Sequence, residues 1–535
     1  MCGFFAYLGN ELGRQELIVS SDKISYRGPD NSSYSQLANH IFFGFHRLSI
    51  MDTSNAGNQP MKHPDDDSIT MVCNGEIYNH ETLKRKYNIT TQSGSDCEVI
   101  LHLYKMMGLQ KTLQELDGVF ALALYDGNIG VLYAARDPYG VRPAFFGTTH
   151  NSEFMIASEA KSISKFCSEV KQFPPAFFWS SDTGEFVRYY ETRVDADPGI
   201  EESDKTLLNI KHKLVDAVRK RMMSEREIGC LLSGGLDSSL IASIVASLSG
   251  SKIKTFSIGL EGSPDLHYAK VVADWIGSDH HEIVMTTQQF LDAIDEVIYK
   301  IESYDTTTVR ASVGNYLVSK YISENTNCKV IFNGDGSDEV CCGYVYNKNA
   351  PTPIELQKES QRLVDEIHLF DVLRSDRSIS SNGLEPRTPF LDKDFVKYYM
   401  SIPPELKEFD KEERIEKFLL RKAFSPREGF ESEAFLPDEI LWRHKCAFSD
   451  GVSSEKASWH KSIQDHVNSV ISDKAFKKRR KRIEHCKPLL KESLYYREIF
   501  TKHYPDMETV IPHFWMPRWT DVIDPSAREL EGYKE

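Results

Sequence analysis

The sequence predicts two domains of different fold class. The first is an α+β domain of stacked antiparallel sheets with a few helices, and the second an α/β domain built on a parallel sheet. Three observations carry this. In the N-terminal part, the apolar runs Ile41–Phe45, Ile69–Cys73, Val119–Tyr125 and Ile129–Ala134 read as strands, and Asp126-Gly127-Asn128 between the last two has hairpin-turn chemistry. From Thr206 onward, helical patterns alternate with short, largely apolar strands at 228–232, 253–258, 281–285 and 329–333, the rhythm of a parallel sheet with helices on its faces. Between these regions Glu191–Lys205 is polar and acidic around Pro198-Gly199, the composition of a linker. The expected organisation is therefore 2–190, a linker at 191–205, and 206–535, consistent with a chain too long for one core.

The formal net charge of −15 argues against nucleic acid or an anionic membrane as the main partner. One basic run, Lys477–Arg482, opposes that trend. It reads as a solvated surface, with a docking or localisation signal as the alternative. The ten cysteines have no metal-ligand spacing, and Cys341-Cys342 are adjacent, so a reducing, cytoplasmic setting is expected. No apolar run reaches the ~18 residues of a membrane span. The start, Met-Cys-Gly-Phe-Phe-Ala-Tyr-Leu, lacks the basic region of a signal peptide.

Taken in order, the first chemically suggestive residue is Cys2. Removal of Met1 would leave it N-terminal, and a free α-amino group with a pKa of about 7.7–8.0 is partly neutral near pH 7. Such an amine takes the thiol proton without help from a histidine, the N-terminal nucleophile arrangement. Further on, Ser95-Asp96-Cys97-Glu98 has the form of a capping box, and Ile100, Leu103 and Met107 give the helical face that follows. Asp96 is thus expected in a first helical turn.

In the second region Ile228–Leu232 reads as a buried strand that breaks at Ser233-Gly234-Gly235 and resumes as the apolar helix Leu240–Ala246. Strand, Gly-rich loop and helix together make an anion cradle. The glycines let backbone N–H groups approach, the helix dipole adds to them, and Ser233, Ser238 and Ser239 supply hydroxyls. A carboxylate, Asp237, belongs beside phosphates only if a magnesium ion lies between them. A second loop, Asn333-Gly334-Asp335-Gly336-Ser337-Asp338-Glu339, follows another apolar strand and so lies where α/β sheets bind ligands. There Asp338 is positioned to share magnesium with Asp237.

No Gly-Lys-Ser/Thr follows the glycines, which excludes the Walker A loop. Ser233–Ser238 instead resembles the pyrophosphate loop of the ATP pyrophosphatases. Cys2-Gly3, Tyr26–Asp30, Phe45–Ile50, Asn55–Pro60, Cys73–Asn79 and Gly94–Asp96 together resemble the glutaminase domain of class II amidotransferases. With Phe256–Leu260, Ser263–Leu266, Tyr304–Ser312, Gly383–Asp392, Trp442–Lys445, Phe448–Gly451 and Asp524–Arg528, nearly the whole chain resembles the glutamine-hydrolysing asparagine synthetases, most of all the animal type.

The resemblance implies an N-terminal nucleophile sandwich followed by an ATP pyrophosphatase-type domain. Cys2 would be the nucleophile on glutamine, Asn74 and Gly75 the oxyanion hole, Arg47 the grip on the α-carboxylate, and Glu76 and Asp96 the hold on the amino end. ATP would lie on Leu232, Ser233, Gly234, Gly235, Asp237, Ser238, Ser239, Ile258, Asn333 and Gly334. Thr307, Thr308 and Arg310 would bind aspartate, Asp237 and Asp338 magnesium, and Asp335 and Lys445 would assist formation of β-aspartyl-AMP. Ammonia would pass from the first domain to the second. The implied partners are the small molecules glutamine, aspartate and ATP, with a homodimer among the assemblies allowed.

Four positions depart from the family pattern: Asp335 where Glu is usual, Asn333 for Ser, Pro386, and Cys446 for Glu. A ring-closing synthetase of the β-lactam type shares the two-domain plan, but retention of Cys2, Arg47, Asn74 and Asp96 argues against it. A non-catalytic glutamine or nucleotide sensor has no use for Asp237, Asp338 and a free nucleophile.

Overall fold

The structure, a computed structural model, describes residues 1–410, 414–426, 434–444, 451–453 and 458–525. The chain forms two compact units. The first comprises Met1–Thr192, Met223–Glu227 and Ile379–Glu385, and the second Arg193–Met222, Ile228–Ser378 and the chain from Pro386.

Unit 1 holds twelve strands: β1 (Gly3–Leu8), β2 (Asn31–Ala38), β3 (Ile41–Arg47), β4 (Met61–His63), β5 (Asp66–Ile77), β6 (Gly118–Asp126), β7 (Val131–Arg136), β8 (Phe145–Thr149), β9 (Phe154–Ala157), β10 (Cys167–Gln172), β11 (Phe177–Ser180) and β12 (Phe186–Arg188). They make two six-stranded sheets, ordered β10-β8-β9-β1-β3-β2 and β12-β11-β7-β6-β5-β4. Every pair in both is antiparallel.

Side-chain alternation explains the stacking. Phe4 and Ala6 of β1 and Phe43 and Phe45 of β3 point one way, into a core shared with Val72, Ala121, Ala123 and Leu132 of the other sheet. The opposite face of β5 and β6 carries Met71, Cys73, Leu122 and Leu124, which pack with Ile100, Leu101 and Leu103 of the helix Val99–Met107.

Two short segments that read in sequence as part of the second domain belong to unit 1. The Glu225 carboxylate accepts from the N–H of Asp52 and Thr53, at 3.2 and 3.0 Å. Arg226 Nε donates to the Ser49 carbonyl at 2.8 Å.

Unit 2 is built on a five-stranded sheet ordered β15-β14-β13-β16-β17, from β13 (Glu227–Leu231), β14 (Lys254–Leu260), β15 (Asp279–Met285), β16 (Cys328–Phe332) and β17 (Glu385–Arg387). β13, β14 and β15 pair in parallel. The helix Leu236–Leu248 covers the sheet with its apolar residues, and Leu240, Ile241, Ile244 and Val245 are buried. Ser203 caps the helix Asp204–Lys220 by accepting from the Thr206 N–H. No described helix is long and apolar enough to cross a membrane.

Leu240 is fully buried. Leu240→Ala should destabilise unit 2 by about 2–5 kcal/mol, read as a shift of its urea transition while that of unit 1 stays in place. A shift in the transition of unit 1 alone would contradict this packing.

Candidate active sites

In unit 1, Cys2 immediately precedes β1 and is partly buried. Its thiol lies 3.6 Å from the Leu48 carbonyl. Arg27 braces the backbone beside it: Nε donates to the Cys2 carbonyl at 3.0 Å, and Nη1 to Glu159 at 2.7 Å. Glu159 also accepts from the Lys161 ammonium at 2.6 Å and the Tyr26 hydroxyl at 2.5 Å. The Arg27 and Glu159 side chains are fully buried, so removing either would weaken the compensation of a buried charge.

Asn74 and Gly75 sit on β5 opposite Ala121 and Phe120 of β6. Asn74 is 1% exposed, and neither its Nδ2 nor its Oδ1 has a hydrogen-bond partner among the described residues. A buried amide left unpaired costs about 1–3 kcal/mol, a cost that a ligand with an oxyanion removes. Gly75 is sterically required, since a Cβ there would fall 2.5 Å from the Val119 carbonyl oxygen.

Arg47, at the end of β3, has Nη1 2.7 Å from both the Ser54 carbonyl and Asn58 Oδ1, and Nη2 donates to the Asp52 carbonyl. Asp52 in turn accepts from the Gly94 N–H at 2.8 Å, tying the Arg47 loop to the Gly94-Ser95-Asp96 loop. Asp96 occupies the 3-10 turn Asp96–Glu98, and its Oδ2 accepts from the Ile77 N–H at 2.5 Å. Burial pushes the Asp96 carboxyl above the usual range, and the Ile77 N–H opposes it. Glu76 is buried beside Gly75 on β5.

The capping box is only half formed. Ser95 accepts from the Cys97 N–H at 3.4 Å, but Glu98 takes the N–H groups of Gln92 and Ser93, both at 2.7 Å. Glu98 therefore fastens the loop before Asp96 and leaves the Ser95 N–H to the Ser93 hydroxyl, at 3.2 Å.

With Met1 in place its amine donates to the Leu384 carbonyl at 3.2 Å, and burial lowers the amine to about 6. Burial also raises the Cys2 thiol to about 11, with the α-amino charge opposing. Alkylation requires thiolate, so in protein that retains Met1 the iodoacetamide labelling of Cys2 should rise about tenfold per pH unit up to about pH 11. Peptide mapping by mass spectrometry reads this. A labelling rate already level by pH 9 would contradict the buried thiol.

In unit 2, β13 ends at Leu231 and residues 232–235 turn into the helix Leu236–Leu248. Gly234 has φ +72°, and a Cβ there would lie 2.4 Å from the Tyr268 Cβ. The Ser233 and Ser238 hydroxyls are 3.0 Å apart. Ser239 is buried, with no partner for its hydroxyl among the described residues. A cleft of about 310 Å3 opens over this loop. Leu232, Ser233, Gly235 and Ser238 line it from one side, Ile258 of β14 from another, and Asn333 and Gly334 after β16 from a third. A Cβ on Gly334 would fall 2.8 Å from the Ser238 nitrogen, so glycine is what lets the two loops meet.

Asp237 and Asp338 both reach the cleft. A residue that sequence reading missed, Lys417, joins them: its Nζ is 2.6 Å from Asp237 Oδ2 and 2.6 Å from Asp338 Oδ1. Asp237 Oδ1 also accepts from the Ser337 hydroxyl at 2.8 Å. Arg374, likewise missed, places Nη2 2.8 Å from Asp335 Oδ1 and 2.8 Å from Asp371 Oδ1. Burial pushes the Asp335 carboxyl upward and Arg374 opposes it. The Tyr344 hydroxyl lies 2.5 Å from Glu339 and 3.0 Å from Asp371.

Of the three candidate aspartate contacts, Thr307 and Arg310 line the cleft. Thr307 Oγ1 is buried with no partner among the described residues. The Thr308 hydroxyl is bound to Asp305, at 2.8 Å, within the cap of the helix Thr306–Asn325. The Arg310 guanidinium is held by two carboxylates, Glu492 at 2.6 Å and Asp524 at 2.7 Å. Arg443 donates to the Gly234 carbonyl at 3.2 Å and stacks on Tyr268. Lys445, Cys446, Phe448–Asp450 and Ser526–Arg528 lie outside the described residues.

Comparison with known proteins covers both regions. A glutamine amidotransferase domain model matches residues 1–178, and an asparagine synthase model matches residues 209–355 and 347–522. Proteins named asparagine synthetase [glutamine-hydrolyzing] from Cricetulus griseus, Gallus gallus and Homo sapiens are each 41% identical to this chain, with 100% of it and 99% of each relative covered. Cys2 and the unpaired Asn74 amide fall inside the first match and the paired loops of the cleft inside the second, so the chain belongs to the asparagine synthase family and carries a glutamine amidotransferase domain at its N-terminal side.

Proposed function

We propose that the protein converts L-aspartate, L-glutamine, ATP and water to L-asparagine, L-glutamate, AMP and diphosphate. The observation that supports this most is that one chain carries both a cysteine and an unpaired buried amide in unit 1, and two carboxylates on one cation over a pyrophosphate-type loop in unit 2.

In unit 1, Met1 is removed and the freed α-amine takes the Cys2 proton. The sulfur attacks the glutamine carboxamide, and Asn74 and Gly75 donate to the oxyanion, donors commonly worth about 3–4 kcal/mol each. Ammonia leaves, and water hydrolyses the thioester to glutamate. Arg47 holds the α-carboxylate, provided it exchanges part of its carbonyl contacts for it, and Glu76 and Asp96 hold the amino end. Arg27 and Glu159 keep the Cys2 backbone in place.

In unit 2, the triphosphate lies on Leu232, Ser233, Gly234, Gly235, Ser238 and Ser239, with Ile258, Asn333 and Gly334 around the nucleoside. The aspartate β-carboxylate attacks the α-phosphorus and diphosphate departs. Ammonia then attacks the β-carbonyl carbon and AMP departs. Thr307 offers its unpaired hydroxyl to the aspartate, while Thr308 and Arg310 set the first turns of that helix. Asp335 positions Arg374 towards the reacting carboxylate, and Lys445 neutralises charge on diphosphate.

Two carboxylates that converge on one cation, beside a phosphate loop, form the donor set of magnesium carried on a nucleotide. Asp237 and Asp338 would hold that ion, which supplies neutralisation of phosphate charge. The described cysteines are all free thiols, which fits a cytoplasmic enzyme.

Cys2→Ala should reduce glutamine hydrolysis to background and preserve asparagine formation from ammonium chloride. Wild-type asparagine formation from glutamine in that variant would refute the nucleophile. Asp237→Asn should lower synthetase kcat/KM by about a hundredfold or more and leave glutaminase activity in place. Equal loss of both activities, in folded protein, would place Asp237 outside a role confined to ATP.

A further inference from the structure

We infer that Lys417 is a stand-in cation. Its ammonium holds Asp237 and Asp338 together before nucleotide arrives, then cedes them to the incoming divalent ion and moves onto the phosphates. This rests on the reading of those two carboxylates as ligands of ATP-bound magnesium.

Asp237 lies in the first turn of the helix after β13, and Asp338 in the first turn of the short helix Ser337–Val340 that follows β16. Two carboxylates facing one another in a cleft repel, more strongly as water is excluded. Nζ of Lys417 sits 2.6 Å from an oxygen of each, so one ammonium offsets both. The lysine side chain is 3% exposed.

The surroundings are shaped to this side chain. A Cβ on Gly343 would lie 2.0 Å from the lysine Cε and 2.3 Å from Asp338 Oδ1. Lys417 itself has φ +59°, a left-handed conformation that residues other than glycine rarely adopt. It does so at the N-cap of the helix Phe418–Phe424, where the strained backbone aims the side chain into the cleft.

Magnesium binds carboxylate oxygens at about 2.0–2.1 Å. An ion at that range from the same two oxygens would occupy the space the ammonium fills. The two cations therefore alternate, and the phosphates that arrive with the metal are the anions left for the ammonium. Lysine suits this better than arginine, being a compact charge on a flexible stem.

The test uses full-length protein and manganese(II) alone, without ATP, followed by electron paramagnetic resonance. Asp237→Asn defines which bound manganese belongs to the site. Lys417→Met and Lys417→Gln should each bind that manganese about tenfold or more tightly than wild type, because the competing cation is gone. Without metal, both variants should unfold at lower temperature than wild type, and manganese should restore much of the difference.

Manganese binding no tighter in either lysine variant, yet still lost in Asp237→Asn, would overturn the stand-in role and leave the metal reading intact. Manganese binding unchanged by Asp237→Asn in every background would overturn the metal reading itself. Variants that stay unfolded at saturating manganese would also refute the stand-in role, since the metal should replace the ammonium.

Discussion

The synthetase chemistry depends on one constraint of sheet topology: β13 and β16 are neighbours. Their following loops come from positions about a hundred residues apart in the chain, yet adjacency brings them into contact beyond the strands' carboxyl ends. Gly334 packs against Asp237 and Ser238 with no room for a side chain. From that contact follow the convergence of Asp237 with Asp338, the bridging position of Lys417, and the floor of the cleft. A parallel sheet with another strand order would keep every motif and lose the site.

Unit 1 solves a different problem, that of holding Cys2, the proposed nucleophile, next to a chain terminus, where order is usually lowest. Pairing of β1 with β3 and β9 on both sides fixes the strand that Cys2 immediately precedes. The buried Arg27–Glu159 pair then fixes the Cys2 carbonyl. Asn74, by contrast, is left unsatisfied in a strand interior. A well-paired strand that retains one orphaned amide stores a cost that a bound partner would remove, which suits the oxyanion role proposed for Asn74.

Much of this was legible in the sequence. Ser233–Ser239 reads as an anion loop because glycines and an abrupt change of hydrophobic period mark it, and β3, β5, β6, β7 and β13 to β16 show in their apolar runs, whereas the other strands of unit 1 do not. Lys417 and Arg374 were not legible. Arg374 lies within an ordinary helical stretch and Lys417 at the N-cap of one, and only tertiary packing brings Asp335 to the first and Asp237 with Asp338 to the second. The three-residue strand β17 is too short for a periodic signal, and Met223–Glu227 carries no pattern that ties it to unit 1. Ser95–Glu98 shows how local chemistry misleads: the spacing suits a capping box, but the N–H groups of Gln92 and Ser93 compete for Glu98 and win. Arg310 carries a related lesson. Its motif suggests a substrate carboxylate, and the folded chain both sets Arg310 in the cleft and places Glu492 and Asp524 on its guanidinium, contacts that no motif announces.

The central claim is that one chain takes nitrogen from glutamine and places it on an aspartate activated by AMP. Incubation with amide-15N glutamine, aspartate and ATP tests it most directly, with products followed by mass spectrometry and phosphorus NMR. The account predicts 15N in the side-chain amide of asparagine, with AMP and diphosphate formed one for each asparagine. ADP and phosphate in their place, or 15N found only as ammonium with no asparagine, would contradict it.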